Sequence, residues 1–163
     1  MERQRPTPEE TIADLGIDLP GPHPPHDPLE AVVVHGGVAR TSGQLPREGG
    51  EVAYRGTLGI DVSIDEGMRA AELCALNALS VLRGALGTLD NVERVISVTG
   101  YVASSPDFHE QPAVVDGASR LLERIFGPAG RHTRSAIGVS ALPRGGAVEI
   151  EMSVAVLQRP ASR

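Results

Sequence analysis

Apolar positions recur along this chain with two different periods, and the switches between them mark its elements. From Ala31 to Thr41 the run AVVVHGGVART places two short apolar stretches around Gly36-Gly37, a hairpin signal because two glycines are free to take positive φ. Ser42-Gly43-Gln44-Leu45-Pro46 leaves the second strand as a polar loop, and Glu48-Gly49-Gly50 marks another turn. The period then becomes helical. Ser63-Ile64-Asp65-Glu66 reads as a capping box, and Met68, Ala71, Ala75, Ala78, Leu79, Leu82 and Leu86 recur at helical spacing until Gly87. Val92–Ala103, rich in β-branched residues, predicts a strand long enough to lie centrally in a sheet. Ser105 as N-cap and Pro106 in the first turn predict a second helix, with Pro112 splitting off its first turn. Val115, Ala118, Leu122, Ile125 and Phe126 carry its apolar side to Gly127. Ser135–Val139 and Ala147–Leu157 predict two more strands, joined by Leu142-Pro143-Arg144-Gly145-Gly146.

The resulting order is two strands, a further short one, then α-β-α-β-β. It predicts an α+β chain with a single mixed β-sheet and two long helices packed on one face. The alternating Val148, Ile150, Met152, Val154 and Val156 are expected to give the uncovered face a continuous apolar row, which oligomerisation would bury. Residues 1–28 hold seven prolines and are expected to form an arm, extended except for a short helix at Pro8–Leu15 capped by Thr7. Residues 29–158 make the domain and 159–163 a loose tail.

Composition removes whole classes of chemistry. Hydrophobic residues make up 40% and charged residues 22%, a globular balance, and no apolar run approaches the roughly 20 residues of a membrane span. With no apolar signal segment behind the N-terminus, a soluble cytoplasmic protein is expected. All fifteen basic residues are arginine, which leaves no lysine for a Schiff base, for pyridoxal phosphate or for a P-loop. Cys74 is the only cysteine, so an internal disulfide and paired-cysteine zinc sites are excluded, and its place in an apolar helix makes it a core residue. His23 and His26 read H-x-x-H without ligand-spaced cysteines or carboxylates, hence loop histidines and no metal site. A formal charge of -6 and four aromatics (Tyr54, Tyr101, Phe108, Phe126) exclude an extended nucleic-acid surface. Arg120 and Arg124, spaced i,i+4, suit a solvated helix face, whereas Arg134 precedes a strand.

Several stretches together resemble the YjgF/YER057c/UK114 family, whose studied members are called reactive intermediate deaminases (Rid), in an extended-N-terminus branch. Ser42-Gly43-Gln44-Leu45-Pro46 is similar to the family's S-G-Q-[IL]-P, Asn77 falls in an N-x-L stretch, and Val102 through Phe108 resembles V-x-x-x-x-D-F. Arg134-Ser135, Leu142-Pro143 and Glu149-Ile150-Glu151 resemble the signature R-[ST]-x-x-x-V-x-x-L-P-x-x-x-x-V-E-[IV]-E. The resemblance covers about residues 31–157. It implies a chorismate-mutase-like fold, a homotrimer and ligand pockets in clefts between subunits. It also implies hydrolysis of enamines and imines to 2-oxo acids and ammonia, without a cofactor. Arg134 would hold the substrate carboxylate, and Glu149 would sit near the water and the imine nitrogen.

The chemistry of these residue types suits the roles. A guanidinium is a planar fork, charged at every relevant pH, which orients a planar 2-imino acid as an ammonium does not. Carbon–nitrogen hydrolysis then needs a placed water and a proton for the departing nitrogen, which one carboxylate can manage. Ser42 and the backbone at Gly43 are candidate substrate contacts, with Gln44 as a contact or a brace for the loop. Other readings stand beside these. Arg134 could serve an ion pair, Glu149 could face solvent, and Glu151, on the same strand face, could be the closer carboxylate. His132 reads as a loop histidine within reach of acid–base work. The chain also departs from the family: no aromatic stands near Leu29, where deaminase members carry a pocket tyrosine. Ala136 replaces a frequent cysteine, and Asp116 aligns with an asparagine. The leading expectation is therefore a deaminase of small 2-imino acids. The alternative is a non-catalytic trimer that binds a small carboxylate, such as a 2-oxo acid, or a protein partner.

Overall fold

The computed structural model describes residues 5–157; the expected tail at 159–163 lies outside them. The chain runs α1 (Pro8–Asp14), β1 (Val32–His35), β2 (Val38–Thr41), β3 (Arg47–Glu48), β4 (Glu51–Val52), α2 (Ile64–Leu86), β5 (Val92–Ala103), α3 (Gln111–Phe126), β6 (Thr133–Val139) and β7 (Val148–Val156). The main sheet has the order β1-β2-β7-β5-β6, and β3 pairs with β4 as a separate ribbon. β5 and β6 are parallel, as the right-handed crossover through α3 favours, and every other pairing in the main sheet is antiparallel. This is the expected mixed sheet with two long helices, of the α+β class.

Local chemistry explains the element ends. Ser63 Oγ accepts from the Glu66 N–H at 3.2 Å while the Glu66 carboxylate accepts from the Ser63 N–H at 2.8 Å, so α2 starts on a complete capping box. The β1–β2 hairpin turns on Gly36 and Gly37, at φ 57° and 77°, as a two-residue turn between right-twisted strands requires. α3 begins at Gln111, not at Ser105. Pro112 has a fixed φ and no N–H, which suits the first turn of a helix, and it opens α3 there. Ser105 instead closes a separate turn, its carbonyl accepting from the Phe108 N–H at 3.0 Å.

The apolar row on β7 faces the helices. Val148, Ile150, Met152 and Val154 are at most 2% exposed and belong to the same core as Ala71, Cys74, Ala78 and Leu82 of α2 and Val115, Ala118 and Leu122 of α3. The expectation that this row lies on the uncovered face is therefore corrected. β7 is the central strand, and its period-2 apolar set turns to the one layer that can bury it. Glu149, Glu151 and Ser153 take the other face, beside Tyr101, Thr99 and Ser97 of β5. The two helices meet closely at Gly117, where a Cβ would overlap the Met68 carbonyl oxygen.

The arm is fastened to this frame. Thr7 caps α1, Ile12 enters the core at 3% exposure, and the Glu9 carboxylate accepts from Arg83 at 3.1 and 2.6 Å and from the Leu89 N–H at 2.9 Å. Ser80 Oγ then donates to the Pro20 carbonyl, and from Gly21 to Glu30 the chain is exposed and without helix or strand.

Candidate functional site

Two half-sites are built on opposite sides of the sheet. The first collects the Ser42–Gln44 loop and Glu149. Gln44 pairs with Ile150 through both backbone groups, at 2.8 and 3.0 Å, which lays the loop beside β7. Gln44 is 9% exposed and its amide donates to the Ser42 carbonyl at 3.2 Å, so its side chain braces the loop. The Ser42 hydroxyl donates to the Glu30 carbonyl at 2.6 Å, tying the loop to the end of the arm. Glu149 lies directly over Gly43, with no room for a Cβ between them. A cavity of about 270 Å³ opens here, lined by Ser42, Gly43, Gln44 and Glu149 together with Arg47, Pro143 and Arg144 and by His23, Pro24, Pro25, His26 and Leu29 of the arm. Where an aromatic would stand near Leu29, the leucine itself is 58% exposed.

Burial, and then the nearby Glu151, push the Glu149 carboxyl above its ordinary value. A carboxyl raised in this way holds its proton closer to neutrality, the condition for giving a proton and taking it back. Glu151 is differently placed: Arg40 donates to it at 3.3 Å and the Tyr101 hydroxyl at 3.4 Å. Of the two carboxylates only Glu149 lines the cavity. Cys74 is buried, and desolvation holds its thiol well above the usual range, which keeps it protonated and inert.

The second half-site is centred on Arg134, whose register partner on β5 is Val98, a core-facing residue. Its side chain turns accordingly to α3. Nη1 donates to Asp116 Oδ1 at 2.8 Å and to Ser119 Oγ at 3.0 Å, and Nη2 to the Pro112 carbonyl at 3.3 Å. Both N–H groups of Nη1 are thus occupied, while Nε and one N–H of Nη2 have no partner among the described residues. The Nε side of the guanidinium thus keeps donors that a carboxylate could accept from. His132 supports the arrangement: Nδ1 bonds the Gly130 carbonyl at 2.6 Å, which fixes the proton there and leaves Nε2 to accept from Ser119 at 3.0 Å. Asp116 and Ser119 were not singled out as site members from sequence; their i,i+3 spacing on the helix preceding Arg134 was the available signal.

Arg134 and Glu149 do not meet within one chain. Arg134 stands level with Val98 and Glu149 level with Tyr101, and β5 separates their strands. Three residues along the strands and two strand spacings across place their Cα atoms roughly 14 Å apart. The side chains then leave opposite faces. A small carboxylate ligand of a few carbons could not touch both residues within one copy. β6, which carries Arg134, is an edge strand, and its Ile137 is 44% exposed.

Comparison with known proteins gives the chain its place. A protein-family model described as "YjgF/chorismate mutase-like, putative endoribonuclease" matches residues 9–149, which takes in most of α1 and the arm from there on. Protein TCP17 of Trypanosoma cruzi is 43% identical over 141 residues, 86% of this chain and 88% of that one. The crystal structure of Atu1372 from Agrobacterium tumefaciens is 40% identical, covers 91% of this chain and 92% of its own, and superposes with a TM-score of 0.85. The structure of E. coli TdcF with bound serine shares the fold at 23% identity and a TM-score of 0.57, over 85% of this chain and 93% of its own. With a family match across most of its length and a sheet, helices and loop order to suit, the chain belongs to the YjgF/chorismate mutase-like family.

Proposed function

We propose that this protein hydrolyses reactive enamines and imines of small carboxylates to 2-oxo acids and ammonia, in the cytoplasm and without a cofactor. The site is completed between copies of a homotrimer, where the Arg134 fork of one copy faces Glu149 and the Ser42–Gln44 loop of another. The observation that carries this reading is the split itself: a free guanidinium fork and a half-buried, raised carboxyl stand about 14 Å apart in one chain, at separate concave surfaces. The structure of E. coli TdcF with bound serine supports a small amino-acid-like ligand on this fold.

In the reaction, Nε and Nη2 of Arg134 take the substrate carboxylate and orient the C=N plane. Protonated Glu149 gives its proton to the imine nitrogen and then accepts one from the attacking water. The tetrahedral carbinolamine collapses with loss of ammonia and leaves the 2-oxo acid, so that imine plus water yields ketone plus ammonia. An enamine first takes a proton at carbon and gives one up from nitrogen to become the imine. The endoribonuclease label in the family description is not the reading adopted, because a net charge of -6 and four aromatics supply neither the phosphate contacts nor the stacking platforms RNA needs.

The test is ammonia release from freshly generated 2-iminopropanoate. Two charge-assisted hydrogen bonds of about 1.5–3 kcal/mol each make Arg134→Ala lose at least roughly a hundredfold in kcat/KM. Unchanged release would overturn the proposal. A second reading, a non-catalytic carboxylate-binding module, is favoured by exposed Leu29 in the place of the pocket aromatic. Binding of 2-oxobutanoate without any turnover of the imine would establish it instead.

A further inference from the structure

The cavity at Glu149 is lined by two arginines and two histidines that the reaction above leaves unused. Arg47 from β3, Arg144 from the turn before β7, and His23 and His26 from the arm reach it from three separate segments. On a chain of net charge -6 the two arginines form a local positive cluster, and the two histidines add N–H donors beside them. Arg47 and Arg144 are in no ion pair among the described residues. The Arg47 side chain makes one hydrogen bond, from Nη1 to the Gly50 carbonyl at 3.0 Å, and the remaining donors of both guanidinium groups have no acceptor among the described residues. Neither of them pairs with Glu149 among the described residues. They do act on one another's surroundings: His23 is depressed by burial and then by Arg47, Arg144 and His26, in that order.

Arg144 adds a second kind of observation. It stands at φ 55°, ψ 21°, the left-handed region, and is the one non-glycine residue with positive φ among the described residues. The following Gly145 shows that the turn accommodates glycine readily. A β-carbon in this conformation is unfavourable, and such strained residues gather at ligand sites, where the side chain has work that glycine cannot do.

We infer that Arg144 and Arg47, with His23 and His26 of the arm, form an anion subsite for a second acidic group at the far end of the substrate, which makes 2-imino dicarboxylates the preferred class. The inference rests on the cleft described under the proposed function. Arg134 of one copy takes the α-carboxylate, Glu149 of the other serves the imine carbon and nitrogen, and the arginines beside Glu149 receive the second carboxylate. The arm thereby determines specificity in the place where relatives carry an aromatic.

Calorimetric titration of the full chain with 2-oxobutanedioate, 2-oxopentanedioate and 2-oxobutanoate tests this. At least one of the two diacids should bind about tenfold or more tightly than the monoacid, the contribution of one added charge-assisted pair. In Arg144→Ala the ratio of diacid to monoacid affinity should fall to about one, and Arg144→Gly, which suits the turn and so protects the fold, should do the same. Arg134→Ala should weaken both classes of acid together. Equal affinity of the native chain for diacids and monoacid, or an undiminished ratio in Arg144→Gly, would overturn the subsite and leave the cleft reading standing. Failure of the native chain to bind any of the three acids would overturn both.

Discussion

Replacing Gly43 with alanine moves one functional group and little else. The added Cβ would overlap Oε1 of Glu149 and lie 2.9 Å from its Cδ and 3.2 Å from its Cγ. Unstrained carbon–carbon contacts are about 3.5–4.0 Å, so the carboxyl must withdraw by about 1 Å. A displacement of that size at a reacting group costs about a hundredfold in rate. Stability should hardly respond, because Gly43 is exposed, its φ is not positive, and the atoms that yield are the end of a flexible side chain. A change within about 0.5 kcal/mol, or about 2 °C in Tm, is expected for a surface substitution of this kind. The assay pairs ammonia release from 2-iminopropanoate with thermal unfolding of the same preparation. Native kcat/KM in Gly43→Ala would refute the assignment of proton transfer to Glu149 as positioned here, and a large fall in Tm would show that the loop does more structural work than its contacts indicate.

Two further outcomes concern stability. Burial, then Glu151, raise the Glu149 carboxyl above its ordinary 4.5, so the folded state favours the protonated form. The stability this confers is present below the unfolded value and lost as pH rises through the raised one. Glu149→Gln should therefore unfold at a higher temperature than the native chain near neutral pH, with the gain vanishing below pH 4.5; a pH-independent difference would refute the cause. Glu9→Ala removes the acceptor for the buried Leu89 N–H and for Arg83. With the carboxylate 27% and the guanidinium 37% exposed, the loss should be about 1–2 kcal/mol, a fall of roughly 2–6 °C in Tm. An unchanged Tm would mean that Ile12 and the Glu9 N–H bond to Asp90 at 3.0 Å hold α1 in place without the carboxylate.

What could be read from the sequence was set by interactions between near neighbours. The Thr7 and Ser63 caps, the Gly36-Gly37 turn, the end of α2 before Gly87 and the whole of β5 depend on residues within a few positions of one another, and these elements form where the pattern puts them. The start of α3 was misread because Ser105-Pro106 and Pro112 both satisfy the rules for a first turn. Only the pairing of Ser105 with Leu58 across the chain, its N–H donating at 3.0 Å, takes Ser105 out of the helix. Period-2 alternation separates Val148 and Ile150 from Glu149 and Glu151 but leaves open which set meets the helices. That is decided by the position of β7 between β2 and β5, beneath α2.

The same division applies to the site. The residue types and spacing of the proposed site, from Ser42 through Gln44 to Arg134 and Glu149, stand in the sequence itself, because the chemistry of a guanidinium or a carboxyl belongs to the residue. The faces of the sheet on which they stand, the bracing of Arg134 by Asp116, Ser119 and His132, and the approach of His23 to Arg47 and Arg144 were not. These depend on contacts between residues 13 to more than 100 positions apart, which only the packed sheet and helices bring together.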